Sequence, residues 1–393
     1  MYAGFFAAVL AVALPLCAFS QPSDVRINSF DLSLKDGETI ESVVVFSRHG
    51  VRSPTQKKKV LKTFSPKPWP QWNVPRGHLT ERGYVLVRDA WKLNAENPLF
   101  RHDGCPKSED IEVIADTDER TQSTAKALLE GLYPGCVIPV SVSKSENSPL
   151  FSPLKAEVCR IENPSELAEK ITRRAEPIPQ EFSKELALLG SIADSSFMGA
   201  DRGSASAYKV NLKGRLRDAS SLIEIFALEW GEWPNRIPGW GRADKETLAA
   251  LMPLRVAVFS ALNRDEEVAA YKGSALAEKI ISSLESGRKY TYIVGHDTNL
   301  ANLGALFELN WQLPSRAVNE NTPGGYLTFV KTSLGGKENI RIFYSALSSD
   351  QMHSDLVTEP AVSAEVFWAD GSFGEWAKHA RSRLIKRCIS PDL

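Results

Sequence analysis

The residues best suited to chemistry lie in two short stretches far apart in the chain. Arg48-His49-Gly50-Val51-Arg52 sets two guanidiniums around an imidazole, and His296-Asp297 sets an imidazole beside a carboxyl. Two guanidiniums this close to an imidazole suit an anion held between them, because each planar fork can take phosphate oxygens in pairs. Gly50 omits a Cβ where the backbone is expected to approach that anion. Phosphoryl transfer asks for positioning and for positive charge around the equatorial oxygens. A neutral imidazole can act as its nucleophile, and a carboxyl can carry a proton to the leaving group. For the first stretch alone, a polar loop with a solvated histidine is the plain alternative; the second stretch argues against it.

Each stretch falls where a strand gives way to a turn. Residues 43–46 read Val-Val-Val-Phe, a buried strand, and Pro54 closes the loop that follows. Residues 290–294 form a second strand leading into Gly295-His296-Asp297-Thr298-Asn299, after which Leu300, Leu303, Leu306 and Phe307 repeat at helical spacing. His296 and Asp297 therefore sit at a helix N-terminus, where backbone N–H groups and the helix dipole favour anions. Residues 111–116 form a third strand, followed by Asp118-Glu119-Arg120-Thr121 and a helical run over 125–129. Alone, Arg120 reads as a helix-start salt bridge. As the third such turn it joins the site, since ligands collect at the carboxyl ends of strands in α/β sheets.

The rest of the pattern predicts an α/β fold in two parts, residues 21–150 and 273–393. Residues 151–272 form an inserted helical domain, with helices over 166–174, 180–189 and 214–228. Thr80 is a candidate N-cap for a helix beginning there. A helix over 275–284 leads to the His296 strand, and 339–345 and 361–368 read as later strands.

The two chemical stretches, R-H-G-x-R-x-P early and H-D late, resemble the signatures of the histidine acid phosphatase family. Asp118-Glu119-Arg120-Thr121, the cysteine pattern, Gly239-Trp240-Gly241-Arg242, Asn310-Trp311 and Pro323-Gly324-Gly325 resemble its bacterial periplasmic phytase and glucose-1-phosphatase branch. The resemblance implies an open mixed sheet with flanking helices. It implies that His49 attacks phosphorus, giving a phosphohistidine, and that Asp297 protonates the leaving alcohol and then assists water. Arg48, Arg52 and Arg120 would hold the phosphate, with His296 as a further donor, and no metal or other cofactor is needed. Thr55 and Thr298 match substrate-lining positions, while Gln56 departs from the Lys of some phytases. Glu224 is a candidate to face the cleft, against a plain helix-surface carboxylate. Gly50 and Thr298 favour phytate over sugar phosphates, since glucose-1-phosphatase-like members carry Asn and Ser there. A non-catalytic phosphate-binding protein would need the arginines but have no use for His49 and Asp297 together. A phosphoglycerate-mutase-like enzyme would be expected in the cytoplasm.

Composition sets the frame. The 393 residues are 43% hydrophobic and 24% charged, with net charge −1, so nothing global points to nucleic acid or to a membrane surface. Residues 2–19 are apolar and Ala18-Phe19-Ser20 offers small residues before Gln21, the pattern of a secretory signal over 1–20. Without it, Cys105, Cys136, Cys159 and Cys388 remain, an even number that reads as two disulfides with three pairings open. The resemblance selects Cys105–Cys136 and Cys159–Cys388. The expectation is a monomeric periplasmic or secreted enzyme for small phosphate monoesters, with no stable membrane association. Lys57-Lys58-Lys59 is either a solvated face or a rim that collects phosphate-rich substrate. The Pro- and Trp-rich residues 65–72 read as an ordered loop, and His78, His102, His353 and His379 as structural or surface groups.

Overall fold

A computed structural model describes residues 34–368 and 372–389; the expected signal segment, 1–20, lies outside them. Its strands are β1 (Thr39–Arg48), β2 (Ile111–Ala115), β3 (Ser141–Val142), β4 (Arg202–Ser206), β5 (Lys209–Lys213), β6 (Tyr290–Gly295), β7 (Tyr326–Leu334), β8 (Lys337–Ala346) and β9 (Val362–Trp368). Seven of them make one mixed sheet in the order β3-β2-β6-β1-β7-β8-β9. β3, β2, β6 and β1 run parallel, and β7, β8 and β9 continue the sheet antiparallel.

β1 is central, and both its faces are covered. Val43 and Val45 enter one apolar core while Val44 and Phe46 enter the other, which is why its sequence is a continuous apolar run without alternation. The strand extends further than the run suggests, because β7, not anticipated from sequence, pairs with it from Thr39. The parallel register sets Arg48 opposite Gly295 and Ala115 beside Val294. Three strands thus end at one edge, and their three turns meet there.

Several local expectations hold for the reason given. Thr80 accepts a hydrogen bond from the Gly83 N–H and caps helix Glu81–Asn94. Residues 65–72 are ordered by packing: the Trp240 indole donates to the Pro68 carbonyl at 2.7 Å, and Trp69 meets Trp240 edge-on at 5.1 Å. Both disulfides have the expected partners, with Cα separations of 5.6 Å for Cys105–Cys136 and 4.5 Å for Cys159–Cys388.

Others differ. The helix expected over 180–189 is broken at Phe182 into Ile178–Glu181 and Ser183–Ala193. The region read as helical also contains the β4–β5 hairpin, packed on helix Pro164–Ala175. Helix Glu266–Glu285 starts at its Asp265 N-cap, which accepts from the N–H groups of Glu267 and Val268, and runs unbroken through residues 272–273. Gly50 has a packing role that its local sequence does not reveal. A Cβ there would lie 2.9 Å from Val87 Cγ2 and 3.0 Å from the Gly83 carbonyl, and one on Gly83 would lie 2.1 Å from the Val51 carbonyl. The two glycines let the loop after β1 press against helix Glu81–Asn94.

Candidate active site

The turn after β1 is fixed by main-chain bonds on both sides. Arg48 N donates to the Gly325 carbonyl at 2.9 Å, His49 N to Gly295 at 3.0 Å, and Gly324 N to the His49 carbonyl at 2.9 Å. Pro323-Gly324-Gly325 is therefore a brace for His49; Gly324 takes φ +73°, and a Cβ on Gly325 would meet the Tyr344 hydroxyl at 2.5 Å.

His49 is buried, and its Nδ1 lies 2.9 Å from the Gly50 carbonyl. A carbonyl only accepts, so Nδ1 carries the proton and Nε2 keeps its lone pair. Burial, and then the charges of Arg48, Arg52 and Arg120, hold the His49 pKa well below its ordinary value. The imidazole is neutral and has its nucleophilic nitrogen available.

The three arginines bring buried donors with no protein acceptor. Among the described residues, Nε of Arg48, of Arg52 and of Arg120 are each buried and unpartnered. Other nitrogens of these guanidiniums are paired: Arg48 with Glu224 and the Asn321 carbonyl, Arg52 Nη1 with the Ser53 carbonyl at 3.0 Å, and Arg120 with Asp118 at 2.8 Å and the Gly77 carbonyl at 3.3 Å. An unmet buried donor is costly, and three of them around one imidazole suit an anion with several oxygens.

His296 N-caps helix Asp297–Leu306, with its N–H on Asn299 Oδ1 at 3.0 Å. Its ring stands edge-on to His49 at 5.5 Å. Nε2 is 2.7 Å from Asp116 Oδ2, and Nδ1 receives Arg120 Nη2 at 3.3 Å. Burial works to raise the Asp116 pKa, but the bond to His296, the Thr117 N–H and Arg120 together hold it below the usual carboxylate range. An ionised Asp116 requires the proton on Nε2, so the one N–H of neutral His296 is spent on Asp116. As a phosphate donor His296 must take a second proton, on Nδ1. Asp116, Asp118 and His296 have ligand atoms near enough to hold a cation, but the Arg120 guanidinium already lies against two of them.

Asp297 is tied on both oxygens. Oδ1 accepts from the Thr298 N–H at 2.9 Å, while Oδ2 is 3.2 Å from Arg255 Nη2 and 3.8 Å from Arg48 Nη2. Burial pushes its pKa up, and Arg48, Arg255 and Arg52 more than reverse that, so the carboxyl is held far below its ordinary value. Glu224 is no surface carboxylate. It is buried between Arg48, Arg255 (Nε at 2.8 Å) and Arg52 (3.9 Å), and its oxygens are taken by guanidiniums. Thr298 is half-buried beside Asp297, while Thr55 is exposed near the Gly77 end of the Arg120 loop.

Three residues of this site were not anticipated. Asp116 was read only as the end of a strand. Arg255, on helix Lys245–Asn263, and Lys272, on helix Glu266–Glu285, lie in stretches with no motif. Lys272 donates to Asn263 at 2.8 Å; burial lowers its pKa to about 8, Asp297 opposes that and the nearby Lys155 adds to it. The remaining histidines stand apart: His353 stacks on Trp230 at 3.6 Å, His379 pairs with Glu308 at 3.0 Å and His78 with Glu119 at 3.5 Å. His102 lies edge-on to Tyr133.

A mixed sheet whose parallel strand ends gather two histidines, an aspartate and several arginines is the arrangement of a phosphate-ester hydrolase. Residues 39–202 match the family described as the histidine phosphatase superfamily, branch 2. The chain is 36% identical over 332 residues to the phytase AppA of Escherichia coli (strain K12), covering 74% of this chain and 76% of that one. It is 26% identical over 347 residues to a glucose-1-phosphatase of Salmonella typhimurium, covering 81% and 84%. The Hafnia alvei phytase structure superposes with a TM-score of 0.83 at 27% identity, covering 91% of this chain and all of that one. The chain belongs to the histidine phosphatase superfamily, branch 2, and is a phosphomonoester hydrolase of the histidine acid phosphatase type.

Proposed function

We propose that the protein hydrolyses phytate through a phosphohistidine. The observation that carries the chemistry is the ring of unmet Nε donors from Arg48, Arg52 and Arg120 around a neutral His49 whose Nε2 holds a lone pair. The ester phosphate lies among these donors. Nε2 forms a bond to phosphorus as the ester P–O bond breaks, and the leaving oxygen takes a proton from Asp297. Water then forms the new P–O bond, the N–P bond breaks, and the water proton returns to Asp297. In the free site Asp297 is ionised; the dianion entering beside it raises its proton affinity, as a like charge does.

Phytate is favoured over sugar phosphates by charge beyond the ring. Lys272 is close enough to Asp297 and to Lys155 for their charges to interact, and there further phosphates of a polyphosphorylated substrate find cations. The phytases among the relatives point the same way. Glucose 1-phosphate is the second reading, because the glucose-1-phosphatase relatives align over most of the chain. Disulfides form in oxidising compartments, so the enzyme works in the periplasm or outside the cell, as a monomer on small phosphate esters. Comparing kcat/KM for phytate, glucose 1-phosphate and an aryl phosphate tests the reading. Phytate should lead; a wide margin for glucose 1-phosphate would replace phytate as the substrate.

A further inference from the structure

Arg48 and Arg255 both reach Glu224 and Asp297, and of the two it is Arg255 that hydrogen-bonds both carboxylates. It comes from helix Lys245–Asn263, with Nε 2.8 Å from Glu224 Oε2 and Nη2 3.2 Å from Asp297 Oδ2. Its bonds run to carboxylates, and its side chain lies over the Phe259 ring at 4.9 Å. It also lines a cavity of about 340 Å³ together with Glu224, Asn321, Met252 and Trp230; Arg48, His49 and His296 are not among the residues lining it.

We propose that Arg255 is a positioning residue for the acid of the reaction: it holds Asp297 ionised and aimed in the free enzyme, so that the carboxyl takes up a proton only in acid or beside a bound phosphate. This rests on the proposed role of Asp297. The groups facing Asp297 are Arg48 and Arg52 from β1 and the loop after it, Glu224 from helix Arg215–Glu232, Arg255, Lys272 from helix Glu266–Glu285, and its neighbour His296. Glu224 shares Arg48 and Arg255 with Asp297 and so tempers both. The sign follows directly. A general acid works only while protonated, so activity falls as pH rises through its pKa. Removing a cation beside Asp297 raises that pKa and moves the alkaline limb of the profile upward.

The test is the pH dependence of kcat for an alkyl phosphate in Arg255→Gln, with an activated aryl phosphate as control, because a good leaving group needs little protonation. An opposite charge at this range shifts a carboxyl by about 1–3 pH units, so the alkyl limb should move up by about one unit or more and the aryl profile should stay. Inorganic phosphate should inhibit at much the same concentration, since Arg255 is bonded to carboxylates. The shorter side chain opens onto the cavity, so water can reach Glu224. Arg255→Lys decides the matter if the glutamine variant does not fold. Its ammonium is a point charge that cannot span both carboxylates as the planar fork does, so its limb should move the same way by less. An unmoved limb in both, or lost phosphate inhibition with an unmoved limb, overturns the proposal. Asp297→Asn separates the two ideas: selective slowing of alkyl substrates keeps Asp297 as the acid even if Arg255 fails. Equal slowing of both substrates removes the reading and this inference together.

Discussion

Asp116 Oδ2 lies 2.7 Å from Nε2 of His296 and fixes which nitrogen of that ring carries the proton. Asp116 is at the end of β2 and His296 at the end of β6, and Asp116 N donates to the Val294 carbonyl at 3.1 Å. The pair is thus set by strand register. With its Nε2–H given to Asp116, His296 presents Nδ1 to Arg120.

Asp116→Asn should therefore weaken catalysis, because an amide can donate to Nε2 as well as accept from it and no longer fixes the tautomer of the ring. Losing a charge-assisted bond of about 1.5–3 kcal/mol corresponds to roughly a 10- to 100-fold loss. The loss should appear in kcat/KM while inorganic phosphate still inhibits. A lowered Tm with kcat/KM unchanged would mean that Asp116 only supports the fold.

His49→Ala should leave a folded protein that still binds inorganic phosphate, because the arginine donors are untouched, while turnover all but disappears. Acid quench and base quench of the wild type with labelled substrate should show label held through a bond that survives base and breaks in acid. Label recovered on serine, aspartate or cysteine would remove His49 as the nucleophile.

Sequence made one half of this site legible and hid the other for a physical reason. Arg48, His49, Arg52, Arg120, His296 and Asp297 all sit in strand-to-helix turns, and parallel strands necessarily bring such turns to one edge. Local pattern was enough for them. Arg255, Lys272 and the buried state of Glu224 depend on which face of a helix turns to the sheet. Those helices are buried widely around their circumference, so no amphipathic stripe marks the cleft side. β7 was missed because its Thr and Lys residues break an apolar run that pairing with β1 and β8 makes stable. Gly50 also has a packing role: its close approach to helix Glu81–Asn94 is one that only the tertiary structure reveals.

Lys272→Ala should raise KM for phytate and leave an aryl phosphate almost unchanged. On the proposed reading its ammonium meets a further phosphate, which a compact monoester does not carry. Neutralising Lys57, Lys58 and Lys59, all exposed around the start of helix Lys58–Phe64, should raise the phytate KM only at low salt, where charges on the rim are unscreened. Equal effects on both substrates would place Lys272 in the phosphate pocket itself. No effect of the triple change at low salt would make that run a solvated face.

Stability should carry its own pH signature through Glu229. Its Oε2 accepts the Gly239 N–H at 3.0 Å and holds a turn in which Gly239 and Trp240 have φ of 60° and 59°. That turn carries the Trp240 indole onto the Pro68 carbonyl. Burial raises the Glu229 pKa to about 7, only partly opposed by the Gly239 bond and Arg236. The folded state therefore keeps a proton that the unfolded chain releases near the ordinary carboxyl value of about 4.3. A group raised in this way contributes its full stability below the unfolded pKa, and that contribution is lost as pH rises through about 7. Glu229→Gln keeps an acceptor for Gly239 without a charge to bury. It should be about 1–3 kcal/mol more stable than the wild type in mild alkali and nearly equal to it in acid. Thermal unfolding at the two pH values measures this directly. A Tm change of the same size and sign at both would show that another group titrates, and that the turn depends on the shape of the side chain and not on its proton.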